Sequence, residues 1–242
     1  MHHHRTSWHD NALLDNSASM IKRLSSAKVM REGYMNMRCH LSPGCPSHIH
    51  PFSPTPSDKS VVPEEAIFAD AWREIFPGTQ VPTVLSQPCC GQFAVSKPKL
   101  RAITRETYVH YRDWLIKTKL PNNLSGRVWE YVWQVIFAGV NEFCPKEHIC
   151  YCDGYGVCFG GEREYEYYFG LQKQREKEEK ERDEFKKKAD QQRVLGLESF
   201  EKKIKELNSE MERLKKKALE YGLDPEYRAM EVGRHWSPGD GY

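Results

Sequence analysis

The sequence predicts an α/β class domain that is mostly helical, over about residues 1–165, followed by a charged helix with a coiled-coil seam over 166–222 and a disordered tail over 223–242. Three observations predict it. All eight cysteines lie between Cys39 and Cys158. Apolar residues ahead of position 165 recur mainly at helical spacing, interrupted by two short runs of strand character. Beyond Gly170, Glu and Lys crowd together and then give way to a heptad repeat.

Residues 10–30 read as one helix, carried by Leu13, Leu14, Met20, Ile21 and Leu24. Residues 33–39 are short and alternate, which predicts a strand or extended segment. Residues 42–60, rich in Pro and Ser, predict a loop. Residues 64–76 predict an amphipathic helix with Ala66, Ile67, Ala71, Trp72, Ile75 and Phe76 on its apolar face. Pro63 stands at its start, where a missing N–H costs nothing, and Pro77-Gly78 ends it. Residues 91–96 are a second short strand. Thr104 caps a helix over 104–117 with Tyr108, Tyr111, Trp114 and Leu115 on one side. Residues 126–138 are strongly apolar; the period does not separate helix from strand, and length and Ser125 favour one buried helix. Residues 144–161, rich in Gly and Cys, predict a loop.

Residues 171–193 carry Glu/Lys pairs three or four apart, which support a solvated helix. Leu197, Phe200, Ile204, Leu207, Met211, Leu214, Ala218 and Tyr221 then recur at alternating steps of three and four, an a/d seam ended by Gly222. The seam predicts a homodimer through residues 197–221; the alternative is one helix folded on its own chain.

Net charge is +2, with acids and bases interleaved, which argues against a nucleic-acid partner. No apolar run approaches the roughly 18 residues of a membrane span. The N-terminal residues lack the apolar stretch of a secretory signal, so the chain as written is expected in the cytoplasm. His2, His3 and His4 read as native sequence rather than a purification tag. The even cysteine count fits a disulfide framework in an oxidising compartment, in any of about 105 pairings. Zinc on Cys144, His148, Cys150, Cys152 and Cys158 is a competing reading, although the paired C-x2-C spacing of common sites is missing; free buried thiols are a third.

Three groups could carry chemistry. Glu130 is a lone carboxylate in an apolar run. Burial would raise its pKa toward that of a general base; the alternative is a buried ion pair with Arg127 or another base. Gln92 opens a strand after Cys89-Cys90-Gly91 and could orient a ligand, or only satisfy backbone groups. His2, His3, His4 and His9, with Asp10, could bind a divalent metal or move protons, or be inert. No phosphate loop, nucleophile elbow, H-E-x-x-H or D-x-D motif is present in the domain.

The segments HHHRTSWHDNALLDN, GYMNMRCHLSPGCP, FADAWREIFPG, PCCGQFAVSK, YRDWLIKTKLPNNLSGRVWEYVWQVIF and CPKEHICYCDGYGVC resemble the fungal family known as domain of unknown function 3431, from about His2 to about Cys158. That family is similar in pattern to glycosyltransferases of the A-type fold, which implies a partial nucleotide-binding α/β domain here, with a strand-rich half upstream of Met1 in fuller members. The resemblance implies transfer of a sugar from a nucleotide-sugar to a hydroxyl acceptor, impaired by truncation. Glu130 would be the base, Gln92 and His9 would complete the catalytic set, and Arg5, Trp8 and Asp10 would hold the cofactor side. His2 and His4 would be the metal ligands, in place of D-x-D. It also implies the secretory pathway for the parent family. The alternative is a non-catalytic scaffold that self-associates through its coiled coil.

Overall fold

The computed structural model describes residues 11–14, 16–53, 62–188 and 194–240. The chain divides into two compact units, Met1–Glu147 and His148–Tyr242, so the division falls ahead of the boundary expected near residue 165.

In the first unit the expected single helix over 10–30 is broken into three pieces. A 3-10 turn over Ala12–Leu14 precedes α1 (Ser17–Arg23) and α2 (Ser26–Glu32). The breaks are written as caps. The Asn16 side chain accepts the Ser19 N–H at 3.0 Å, and the Ser25 hydroxyl accepts that of Lys28 at 3.1 Å. Gly33, left-handed at φ 82°, closes α2 and turns the chain into β1 (Tyr34–Asn36). β1 pairs antiparallel with β2 (Phe93–Val95), Met35 opposite Ala94. These two strands are the sheet among the described residues.

α3 (Glu65–Ile75) buries Phe68, Ala71, Trp72 and Ile75. After β2 come α4 (Lys97–Ala102) and α5 (Arg105–Lys117), the latter capped by Thr104 as its sequence indicates. Of the side expected to be apolar on α5, Trp114 is buried, but Leu115 is exposed.

The expected helix over 126–138 is instead two, α6 (Asn122–Glu130) and α7 (Trp133–Ala138). Two buried amides receive the carbonyls released at the break. Gln134 donates to the Tyr131 carbonyl at 2.9 Å, and Gln87 donates to the carbonyl of Glu130. The core gathers Ile49, Phe68, Trp72, Leu85, Val128 and Trp129 between α3, α5 and α6. A second aromatic layer joins the sheet to α7, with Phe93 4.9 Å from Trp133 and Tyr34 6.2 Å from Phe137 between ring centroids.

In the second unit the Gly- and Cys-rich segment, expected to be a loop, contains α8 (Glu147–Tyr155, whose first residue closes the first unit). It is followed by α9 (Glu162–Lys188), α10 (Val194–Tyr221) and α11 (Pro225–Glu231). α9 and α10 run antiparallel, since Phe185 meets Phe200, Glu178 pairs with Lys203 and Arg175 reaches Asn208. The heptad seam is therefore partly covered within one chain. Ile204, Met211 and Ala218 are buried, while Leu197, Phe200, Leu207 and Leu214 stay half-buried.

Where a disordered tail was expected, α11 docks inside the unit. The Arg228 guanidinium is buried and donates to the Asp153 carbonyl at 2.7 Å, and the Glu231 carboxylate accepts the Gly160 N–H at 2.9 Å. Gly222 lies so close to the Gly156 backbone that no Cβ fits there.

No cysteine is free. Cys45 pairs with Cys144, Cys89 with its neighbour Cys90 and Cys152 with Cys158; Cys39 and Cys150 are disulfide-bonded as well. The zinc and free-thiol readings fall with this, because a sulfur in a disulfide has no thiolate to offer a metal. Cys152, Cys158 and Glu231 offer ligand atoms within 4.8 Å of one another, but the two sulfurs are already joined. The bonding fits an oxidising, secretory or extracellular, environment. Among the described residues no helix is long and apolar enough to cross a membrane.

Candidate functional site

Glu130 ends α6, where the helix stops and the polypeptide turns into α7. Its side chain is half-buried rather than sealed in the core. Oε2 accepts the backbone N–H of Cys90 at 3.3 Å. Cys90 sits at φ 87°, in the left-handed region, followed by Gly91 at φ 60°. Two consecutive left-handed residues turn the backbone so that this N–H faces α6. A Cβ at Gly91 would stand 3.6 Å from the Glu130 Cγ, an ordinary van der Waals contact, so it is the left-handed backbone at φ 60° that favours glycine there.

The ion pair anticipated for Glu130 goes elsewhere. Arg127 Nη1 binds Glu64 Oε2 at 3.1 Å, and Glu64 is buried just ahead of α3. Burial raises the pKa of Glu130 above the ordinary glutamate range. The Cys90 N–H and the more distant Arg127 charge pull it back in part, and Glu64 pushes it further up. A carboxylate with a raised pKa and one oxygen held by a single N–H is a stronger proton acceptor than an exposed glutamate.

The Tyr131 phenol is pushed far up, first by burial and then by the Glu130 and Glu64 charges, so it stays protonated. The His48 ring packs 4.8 Å from the Tyr131 ring. Burial lowers the His48 pKa, against the opposing pull of Glu64 and Glu65, which keeps the imidazole neutral near pH 7. Glu65, buried in the first turn of α3, accepts from the His50 backbone N–H at 2.7 Å and lies 3.1 Å from its ring Nδ1.

Gln87 positions Glu130 from below. Fully buried, it accepts the Tyr34 hydroxyl at 2.8 Å and the Asn36 amide at 3.3 Å while donating to the Glu130 carbonyl. It thereby ties β1 to the end of α6.

Gln92 stands beside Gly91. It lines a small cavity of about 100 Å³ with Ser17, Met20, Met37, Gly91 and Phe93, and its carbonyl accepts the Met37 N–H at 2.8 Å. Glu130 is not among the lining residues, so the two candidates meet only through Gly91, which borders both. A wider cavity of about 640 Å³ lies between α3 and α5, lined by Glu74, His110, Asp113 and Trp114 among others; of the candidate site residues, neither Glu130 nor Gln92 borders it.

His2, His4, Arg5, Trp8, His9 and Asp10 lie outside the described residues. Asn11, which follows them, is anchored: it donates to the Met37 carbonyl at 2.8 Å and accepts the Cys39 N–H at 2.7 Å.

Sequence reasoning missed Gln87, Glu64, Glu65, His48 and His50. The two histidines fall in a segment read only as a Pro/Ser-rich loop, and their alternation in S-H-I-H was the available signal.

A family model described as "Protein of unknown function (DUF3431)" matches residues 1–153. The chain belongs to this family. Nothing among the curated proteins or the solved structures matches it. The DUF3431 match takes in Glu130, Gln92, Gln87, the histidine pair and the buried glutamates, so the site described above lies within the family's own region of the chain.

Proposed function

We propose that the DUF3431 region is a glycosyltransferase-like domain in which Glu130 is the general base toward a hydroxyl acceptor. One observation carries the reading: a half-buried carboxylate has its pKa raised by burial, while the neighbouring arginine is committed to Glu64. In the reaction Glu130 takes the hydroxyl proton as the acceptor oxygen attacks the sugar's anomeric carbon, and the nucleotide phosphate departs with the bonding pair. Gln92, next to Gly91, would orient substrate. The resemblance adds His9 to the catalytic set, Arg5, Trp8 and Asp10 to the nucleotide-sugar side, and His2 and His4 as ligands for a divalent metal. Such a metal would offset the phosphate charge. The secretory pathway is the compartment consistent with the disulfides. The test is nucleotide-sugar turnover by the chain and by its Glu130→Gln variant.

A second reading, a scaffold that self-associates through residues 197–221, has one observation in its favour. Leu197, Phe200, Leu207 and Leu214 remain half-buried along α10. Sedimentation separates it from a chain whose seam is satisfied by α9.

A further inference from the structure

Residues 47–50 and the first turn of α3 bring a hydroxyl, an imidazole and a buried carboxylate each within hydrogen-bond distance of the next. The Ser47 Oγ lies 2.8 Å from the His50 Nε2, and the His50 Nδ1 lies 3.1 Å from the Glu65 Oε1. We propose that Ser47, His50 and Glu65 form a nucleophilic triad that hydrolyses carboxylic esters, an activity separate from the transfer assigned to Glu130.

The chemistry follows from how each group is held. The Glu65 side chain is 2% exposed, and the same oxygen accepts the His50 backbone N–H at 2.7 Å. That oxygen has a fixed place and faces Nδ1. The proton of the neutral ring therefore resides on Nδ1, and Nε2 presents its lone pair to the Ser47 hydroxyl. A carboxylate behind the imidazole also stabilises the imidazolium that forms when the ring takes a proton. The His50 side chain is 43% exposed and Ser47 is exposed, so the hydroxyl is accessible to a substrate while its orienting carboxylate is not.

The segment 45–50 is fixed from three sides. Cys45, two residues before Ser47, is bonded to Cys144. Ile49 exchanges two backbone hydrogen bonds of 3.0 Å with Leu85. Glu65 holds the His50 backbone. Preorganisation of this kind separates a working dyad from a chance serine–histidine contact on a mobile loop.

In the first step Ser47 Oγ adds to the ester carbonyl carbon as its proton passes to His50 Nε2. The C–O bond to the alcohol breaks, and the alcohol leaves with that proton. Water, deprotonated by the same nitrogen, then cleaves the acyl-serine to release the carboxylic acid and restore the hydroxyl. Ester and water are consumed, alcohol and acid are formed, and no redox partner is needed. The exposed setting suits small acyl esters carried on a larger molecule, which need not enter a deep pocket.

The experiment uses the full chain, a fluorophosphonate probe and p-nitrophenyl acetate. The expected result is stoichiometric modification of Ser47, located by peptide mass spectrometry, with none in Ser47→Ala. His50→Gln should slow labelling and acetate release by about a hundredfold or more. Ser47→Ala and His50→Gln alter accessible side chains, and circular dichroism of both should match the parent. Glu130→Gln should label at the parent rate, which separates this activity from glycosyl transfer. A folded parent chain left unmodified at Ser47, or a His50→Gln variant labelled as fast as the parent, overturns the proposal.

Discussion

The backbone N–H of Cys90 meets Glu130 Oε2 at 3.3 Å, and the strand–helix tie through Gln87 holds the same residue by its carbonyl. Glu130 is thus fixed at both its side chain and its backbone, while its pKa is raised chiefly by burial. A carboxylate less tolerant of its charge when folded binds a proton more tightly in the native state than in the unfolded one. Stability must then fall as pH rises from the ordinary glutamate range through the raised value. Glu130→Gln removes that dependence. Urea unfolding between pH 4 and pH 8 should show a flatter profile for the variant, with equal or greater stability at neutral pH. A loss of about 3–5 kcal/mol at neutral pH would instead identify a broken buried ion pair.

Gln87→Leu tests the tie itself. It strands the Tyr34 hydroxyl and the Glu130 carbonyl, and leaves the Asn36 amide only its bond to the Pro88 carbonyl at 2.7 Å. Each buried group left without a partner costs roughly 1–3 kcal/mol, so the variant should lose at least about 2 kcal/mol in chemical denaturation. An unchanged midpoint would contradict the tie.

These two residues also show what could be read in advance. Glu130 was legible because one carboxylate in an apolar run is conspicuous in any window. Gln87 was not, because its partners lie 43 to 53 residues away and nothing local marks it. The same separation hid half of the break at Tyr131, where one amide arrives from Gln87, 43 residues away, and the other from Gln134, only three residues on. Thr104, by contrast, caps α5 from within its own turn, and the strands 34–36 and 93–95 fall inside the short segments 33–39 and 91–96 that read as extended. The heptad seam announced a partner helix without saying whose. α9 is polar enough to read as solvated, yet it supplies part of the cover. His50 and Glu65 stand only 15 residues apart, but the Pro-rich segment between them carries no period from which to infer that they meet.

In the second unit, Gly222→Ala places a methyl group against the Gly156 backbone, which has no flexible side chain to move aside. Overpacking of this kind costs about 1–3 kcal/mol. The melting temperature should fall, and loss of the contact should loosen α11, which begins three residues later. A variant as stable as the parent would show that the close approach is not a constraint.

The α9–α10 pairing predicts a monomer. Ile204, Met211 and Ala218 are already buried within one chain, which leaves only the half-buried seam residues for a partner. Sedimentation equilibrium at tens of micromolar should give the mass of one chain, 28.3 kDa. A dimer that dissociates on Leu207→Asp, with helicity intact, would favour the scaffold reading.

The most direct test pairs thermal unfolding with nucleotide-sugar turnover on the same preparations of the parent chain and Glu130→Gln. A positioned base contributes about a hundredfold or more to rate. Turnover of Glu130→Gln should be lower by at least that factor, with a melting temperature equal to or above the parent's. A Glu130→Gln variant that keeps full turnover, or one that loses activity only because it unfolds, would contradict the role of Glu130 as base.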